Sequence, residues 1–268
     1  MTFTPVLPIG GYGGWSYLKR TKAVQETAFV KQASVQRDEA YYREKIAKID
    51  TAEQLVKDKR LLRITLQAFG LEDDVNNTFF IRKVLEGSTL DSKALANRLS
   101  DKRYTQLQNA FGFGDFAVPR NKISTFADGI LGKWKARSFE VAVGTQSASI
   151  RLAMNAEREL GALAKTGSAE DTKWFALMGQ PPLRTIVETA FGLPQAFGVL
   201  DIDKQLETLK SKAQSLLGDD TVSQLSDPEK LEKLIRIYLL RSEAAGFGNV
   251  SAPGSGALTI LQSISRRD

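Results

Sequence analysis

One stretch of the chain is written twice. The segments LLRITLQAFGL (61–71) and LRTIVETAFGL (183–193) align without a gap, 122 residues apart. Leu61, Ile64, Ala68, Phe69, Gly70 and Leu71 match Leu183, Ile186, Ala190, Phe191, Gly192 and Leu193. Apolar residues at i, i+3, i+7 and i+8 draw one face of a helix. The Gly that follows supplies the positive φ of a helix stop, while the Phe before it locks the last turn to a core. A buried helix and its stop, present in two copies, constrain the chain to a pair of related helical units. Two copies are too few for a solenoid, so the units are expected to share a core.

Neighbouring segments extend the pattern. Leu99-Ser100-Asp101 resembles Leu225-Ser226-Asp227 at a shift of 126, which implies about four inserted residues. A lesser echo pairs Asp58-Lys59-Arg60 and Ala68-Phe69-Gly70 with Asp101-Lys102-Arg103 and Ala110-Phe111-Gly112. Residues 22 to about 50 lack Gly and Pro and predict one long amphipathic helix, with Phe29, Val30, Tyr41, Tyr42 and Ile46 on its buried side. Its counterpart is expected at about 135–165. Thr51-Ala-Glu-Gln54, Thr221-Val-Ser-Gln224 and Ser226-Asp-Pro-Glu229 are capping-box signatures. The first opens a helix carrying Leu55, Leu62, Leu66 and Phe69; the last precedes a stripe of Leu231, Leu234, Ile235 and Tyr238. Sustained alternation of period two is missing, so the expected class is all-α with almost no sheet. The expected organisation is a flexible Gly-rich segment (1–21), helical unit 1 (22–134), helical unit 2 (135–250), and a linker with a C-terminal tail (251–268).

Composition removes most catalytic chemistry. The 268 residues include neither Cys nor His. That excludes disulfides, thiolate zinc sites, His ligation and every Ser-His-Asp or Cys-His mechanism. Acid–base work would fall to Asp, Glu, Lys or Tyr, and a carboxylate site for a hard metal stays open. The remaining motifs are weak. Gly112-Phe-Gly114-Asp-Phe-Ala117 fits G-x-G-x-x-A, but a helix precedes it where a dinucleotide site needs a strand. Gly10 to Gly14 lack the Gly-Lys-Ser/Thr of a phosphate loop. Glu72-Asp73-Asp74 and Asp201-Ile-Asp203 lack EF-hand spacing and suit helix N-termini instead. No catalytic, metal or cofactor residue is therefore assigned, no cofactor or small-molecule substrate is expected, and the chain is read as a non-enzyme. Tyr12, Trp15 and Tyr17 in the Gly-rich segment are candidate interface anchors for a protein partner.

Charge is unevenly spread. The net charge is +6, with 22 Lys/Arg against 15 Asp/Glu in residues 1–135, and 15 against 16 in the rest. Lys133, Lys135 and Arg137 flank Trp134, a pattern that can bind single-stranded nucleic acid. The basic charges are nevertheless interspersed with acids, and a solvated face is the plainer reading. Apolar runs are short, so no integral membrane association is expected. The opening MTFTPVLPIGGYGGWSYLKRTK has its charges after the apolar part, unlike a secretory signal. The expected location is the cytoplasm, with no Sec export.

Across nearly the whole chain, the segments TPVLPIGGYGGWSYLKRT, FGLEDDVNNTFFIRKVLEGS, LANRLSDKRY, FEVAVG, WFALMGQPPLRTIVETAFGLP and DIDKQLETLK resemble an alphaproteobacterial family, domain of unknown function 1217. Members of that family are often encoded among flagellar genes, so the resemblance implies a flagellum-related role and a flagellar protein partner. It carries over no catalytic or ligand residue. The expectation is a non-enzymatic, flagellum-associated protein acting through protein–protein contacts, as an assembly, export or regulatory factor. The alternatives are a basic nucleic-acid-binding module and an exported structural component of the flagellum.

Overall fold

The computed structural model describes residues 3–250. The expected linker and tail at 251–268 lie outside the described residues. Among the described residues the chain is all-α, with thirteen α-helices and no strand. The first seven are α1 (Gly11–Val30), α2 (Ala33–Lys45), α3 (Ala52–Lys57), α4 (Lys59–Phe69), α5 (Thr78–Glu86), α6 (Leu95–Arg98) and α7 (Lys102–Phe111). The remaining six are α8 (Phe126–Gly144), α9 (Ala148–Ala164), α10 (Glu170–Met178), α11 (Pro181–Phe191), α12 (Ile202–Leu217) and α13 (Pro228–Val250). No helix among them is long and apolar enough to cross a membrane.

Both repeated stops form as their residues dictate. α4 ends at Gly70 with φ 71°, and α11 ends at Gly192 with φ 66°. In each, the N–H of the next Leu reaches back five residues, Leu71 to Leu66 and Leu193 to Glu188, both at 2.9 Å. This is the left-handed cap that only Gly adopts without strain. Phe69 and Phe191 are buried beside it. Side-chain caps set the helix starts. Thr51 accepts from the Gln54 N–H at 3.2 Å, and the Asp101 and Asp227 carboxylates accept from the N–H of Arg103 and Glu229.

The predicted helix over 22–50 is two helices, and the first begins earlier. α1 starts at Gly11, so half of the segment expected to be flexible is helical and docked. Gly14 explains the early start: a Cβ there would lie 2.1 Å from the Ile9 carbonyl oxygen, and its absence lets the preceding strap cross the helix closely. The strap is tied down by three glutamines. Gln32 accepts from the Phe3 N–H at 3.1 Å, Gln25 accepts from the Val6 N–H at 2.8 Å, and Gln146 donates to the Pro5 carbonyl. Phe3 then inserts between Phe29 and Phe139, with ring centroids 5.6 and 6.1 Å away. The break at Lys31–Gln32 turns α2 so that Tyr42 and Ile46 reach the core.

The core is a single contiguous cluster that runs through both halves of the chain. α4 packs most extensively on α8, while α9 lies centrally against α8, α11 and α13. α1 packs on α9 and α13, far along the sequence. The expected unit boundary at 134/135 falls inside α8, beside buried Trp134. The two halves are therefore interleaved through a shared helix rather than joined by a linker.

Candidate functional site

Most residues singled out in the sequence meet a partner within the fold. Trp15 is 1% exposed, and its indole N–H donates to the Glu232 carboxylate at 3.1 Å. Lys19 closes on the same carboxylate at 2.8 Å. Trp15 thus anchors α1 to α13 within the chain and is not on a free surface. Tyr12 is half-buried, with the Arg236 guanidinium 5.3 Å from its ring centroid. Tyr17 is half-buried as well. Trp15 and Tyr12 therefore make contacts between the two ends of the described chain.

The basic triplet around Trp134 is also committed inward. Trp134 is buried and donates to Gln67 at 3.0 Å. Lys133 lies 5.1 Å over the Phe69 ring, Lys135 pairs with Glu39 at 2.6 Å, and Arg137 pairs with Glu159 at 2.7 Å. The acidic clusters have local roles. Asp201 caps α12 through the Asp203 N–H at 3.0 Å, Asp74 receives Asn77 and the Tyr104 hydroxyl, and Glu72 pairs with Arg151. Among the described residues, no group of three or more His, Cys, Asp or Glu is arranged to hold a metal ion. The G-x-G-x-x-A segment follows α7: Gly112 is its left-handed cap at φ 63°, and Gly114 sits against the Gly87 carbonyl.

That last segment opens a surface which motif reading missed. Asp115 fastens the 112–116 turn to the loop after α5, accepting from Ser88 Oγ and the Thr89 N–H, both at 2.8 Å. Burial works against the Asp115 charge. The bonds from Ser88 and Thr89, with the field of Arg120, outweigh it and hold the carboxyl below its ordinary range. The clamp presents two apolar loops together. Leu90 is 91% exposed, Val118 67%, Ile123 55% and Phe116 46%. Phe116, Val118, buried Pro119 and Ile123 line a groove of about 530 Å³ with Arg120 and Lys122 at its side. The Arg120 guanidinium stacks 4.8 Å over the Phe116 ring and donates to the Asn109 carbonyl at 3.0 Å. Lys122 donates to the Ala47 carbonyl at 2.8 Å and pairs with Asp50. Beneath the groove, Asn121 is buried and donates to the Ile46 and Ile49 carbonyls, each at 2.7 Å. The apolar side chains are therefore held out on a fixed base. Scattered exposed apolar residues are ordinary, whereas a gathered group on a braced loop suits protein contact. The signal in the sequence is FAVPRNKI (116–123), which is apolar but follows neither helical nor strand periodicity.

Known proteins bear on the same architecture. The crystal structure of protein AGR_C_984 from Agrobacterium tumefaciens is similar to this chain, with a TM-score of 0.70 and 27% identity. The match covers 90% of this chain and 98% of that one. No curated protein matches the sequence. A family model described as protein of unknown function (DUF1217) matches residues 68–231, more than half the chain and inclusive of the stops at Gly70, Gly112 and Gly192 and the braced loop. By that match the chain belongs to the DUF1217 family.

Proposed function

We propose that this chain is a non-enzymatic, flagellum-associated protein that works by binding another protein, as an assembly, export or regulatory factor. The observation that carries the protein-binding part is the braced apolar groove of Phe116, Val118 and Ile123. Rigid presentation lowers the entropy lost on association, and a central apolar group beside an Arg is the composition of an interface core. The chemistry of the partner follows from the rim. Arg120 and Lys122 favour an apolar segment flanked by carboxylates. The flagellar part rests on the family resemblance alone. Nucleic-acid binding has less support, because the basic triplet at 133–137 is occupied by an aromatic ring and two carboxylates.

A photo-crosslinking side chain at position 118, introduced into the protein in its source organism, tests this. The expected result is a discrete adduct with a flagellar protein, lost on Arg120→Glu and not formed from position 24, which is equally exposed on α1. Identical adducts from both positions, or none from position 118, would overturn it.

A further inference from the structure

A cavity of about 220 Å³ lies where α1 packs on α8, in a part of the molecule that the protein-binding groove does not use. One face of each helix lines it. α1 gives Glu26, Phe29 and Val30, spaced i, i+3 and i+4. α8 gives Gly132, Lys135, Ala136 and Phe139, spaced i, i+3, i+4 and i+7. Phe29 and Phe139 are buried with ring centroids 5.8 Å apart, so they close the base. Val30 and Ala136 are half-buried and leave aliphatic wall in the open part. Gly132 keeps that part clear: an added Cβ there would meet nothing within 4 Å.

Glu26 is the one carboxylate on this lining, and the ammonium groups of the region are engaged elsewhere. Lys135 pairs with Glu39 at 2.6 Å, and Lys22 pairs with Glu157 at 3.2 Å. Lys19 divides itself between Glu157 at 3.6 Å and Glu232 at 2.8 Å. Along this side of α1, Glu26, Glu157 and Glu232 therefore share two ammonium groups, and Glu26 is left over. Among the described residues, no cation stands within ion-pair distance of Glu26 and no hydrogen bond reaches its carboxylate. The residue is half-buried, yet its oxygens are not sealed in the way that Ser138 Oγ and Asn155 Oδ1 are. Burial pushes the carboxyl above its ordinary range. The field of Lys22 opposes that shift, and those of Glu140 and Glu157 add to it. An unpaired, partly desolvated carboxylate beside an aliphatic wall has the chemistry to hold a cation with an apolar stem.

We propose that this cavity is a binding site for an alkylammonium group, with the ammonium on the Glu26 carboxylate and the alkyl chain along Phe29, Val30 and Ala136. The volume equals roughly seven water molecules at about 30 Å³ each, which suits a short unbranched chain. A carboxylate ligand is repelled by Glu26, and an alcohol of the same length leaves the charge unpaired. A free amine and the lysine side chain of another protein carry the same group.

The test is a titration of the isotope-labelled full chain at low salt, followed through the Glu26 and Gly132 amide resonances. The free amines are n-butylamine and cadaverine, Nα-acetyl-lysine methylamide stands for a protein lysine, and n-butanol and n-butyrate are the controls. The expected result is saturable binding of at least one ammonium compound at millimolar or lower concentration, with both controls about tenfold or more weaker. Tighter binding of the lysine amide than of n-butylamine assigns the site to a protein lysine, and the reverse assigns it to a free amine. Glu26→Gln should weaken binding by about tenfold. Gly132→Leu places a side chain in the cavity at a helical position with room for it, and should weaken binding by a similar factor without lowering Tm. The proposal is overturned if no ammonium compound saturates, if n-butanol binds as tightly, or if either variant keeps full affinity.

Discussion

Replacing Trp15 by Ala removes a buried ring and leaves Glu232 without its indole partner. The expected cost is about 3–5 kcal/mol of stability, read by urea unfolding. An interface anchor would instead weaken partner binding with stability unchanged, so the experiment separates the two roles. Glu170 sets a pH dependence. Burial raises its pKa, but hydrogen bonds from Ser223 Oγ, Lys173 and the N–H groups of Ser223 and Val222 outweigh burial and lower it from 4.5 to about 2. A folded-state pKa below the unfolded value contributes stability that is fully present above the unfolded pKa. That stability is lost as pH falls through the folded pKa. Unfolding free energy is therefore expected to decline between pH 4.5 and about 2, and Glu170→Gln to flatten that decline while lowering neutral-pH stability by about 1–2 kcal/mol. An unchanged acid slope in the variant would count against the assignment. Asn121→Ala strips the donors from two carbonyls and is expected to cost about 1–3 kcal/mol. It also loosens the base of the Phe116–Ile123 loop, so it should raise that loop's amide exchange first.

At the scale of elements, α8 carries Gly129 on an exposed face where an added Cβ would meet nothing. Gly129→Ala is expected to stabilise the protein by about 0.5–1 kcal/mol through helix propensity, which raises Tm by about 1–4 °C. A fall in Tm would mean that the bare backbone there makes a contact not accounted for. Local signals announced several elements of the fold. The Leu55, Leu62, Leu66 and Phe69 face and the Leu231, Leu234, Ile235 and Tyr238 stripe are buried as their spacing requires. Gly70 and Gly192 stop their helices because only φ > 0 frees the last carbonyls for the returning N–H. Tertiary contacts hid the rest. Thr221 accepts from the Gln224 N–H at 3.3 Å in a short 3-10 turn (Ser223–Ser226) in place of a helix, and α13 starts only at Pro228. Gly-rich residues 10–14 read as a loose tail, yet Gly14 is there to admit the strap. Residues 22–50 show no breaker, and at the interruption the Gln32 side chain accepts from the N–H of Phe3, a contact far along the sequence. As for the candidate surface, the sequence offered aromatic anchors at 12, 15 and 17, and the fold turned them inward or half-buried them. The exposed group at 90 and 116–123 has no periodicity for a pattern to find.

At the scale of the whole molecule, interleaving makes a thermodynamic statement. α8 is shared, both α4 and α9 pack on it, and α1 closes onto α13. One cooperative transition is therefore expected in calorimetry, with equal calorimetric and van't Hoff enthalpies. Fragments cut at 134/135 should fail to fold separately, because the cut divides α8 and strips Trp134 of half its surroundings. Two resolved transitions, or two folded fragments, would show instead that each half is a domain. The proposed role has the folded, uncut chain serve the flagellum through the braced surface. It is tested most directly in the source bacterium, by replacing the chromosomal copy with Phe116→Ser, Val118→Ser and Ile123→Ser combined, beside a clean deletion and a Val24→Ser control. Swimming and filaments are scored once equal protein levels and equal Tm are verified. The triple variant is expected to reproduce the deletion's defect in swimming or filaments, and the control to swim normally. Normal swimming and normal filaments in the triple variant, or in the deletion itself, would contradict it.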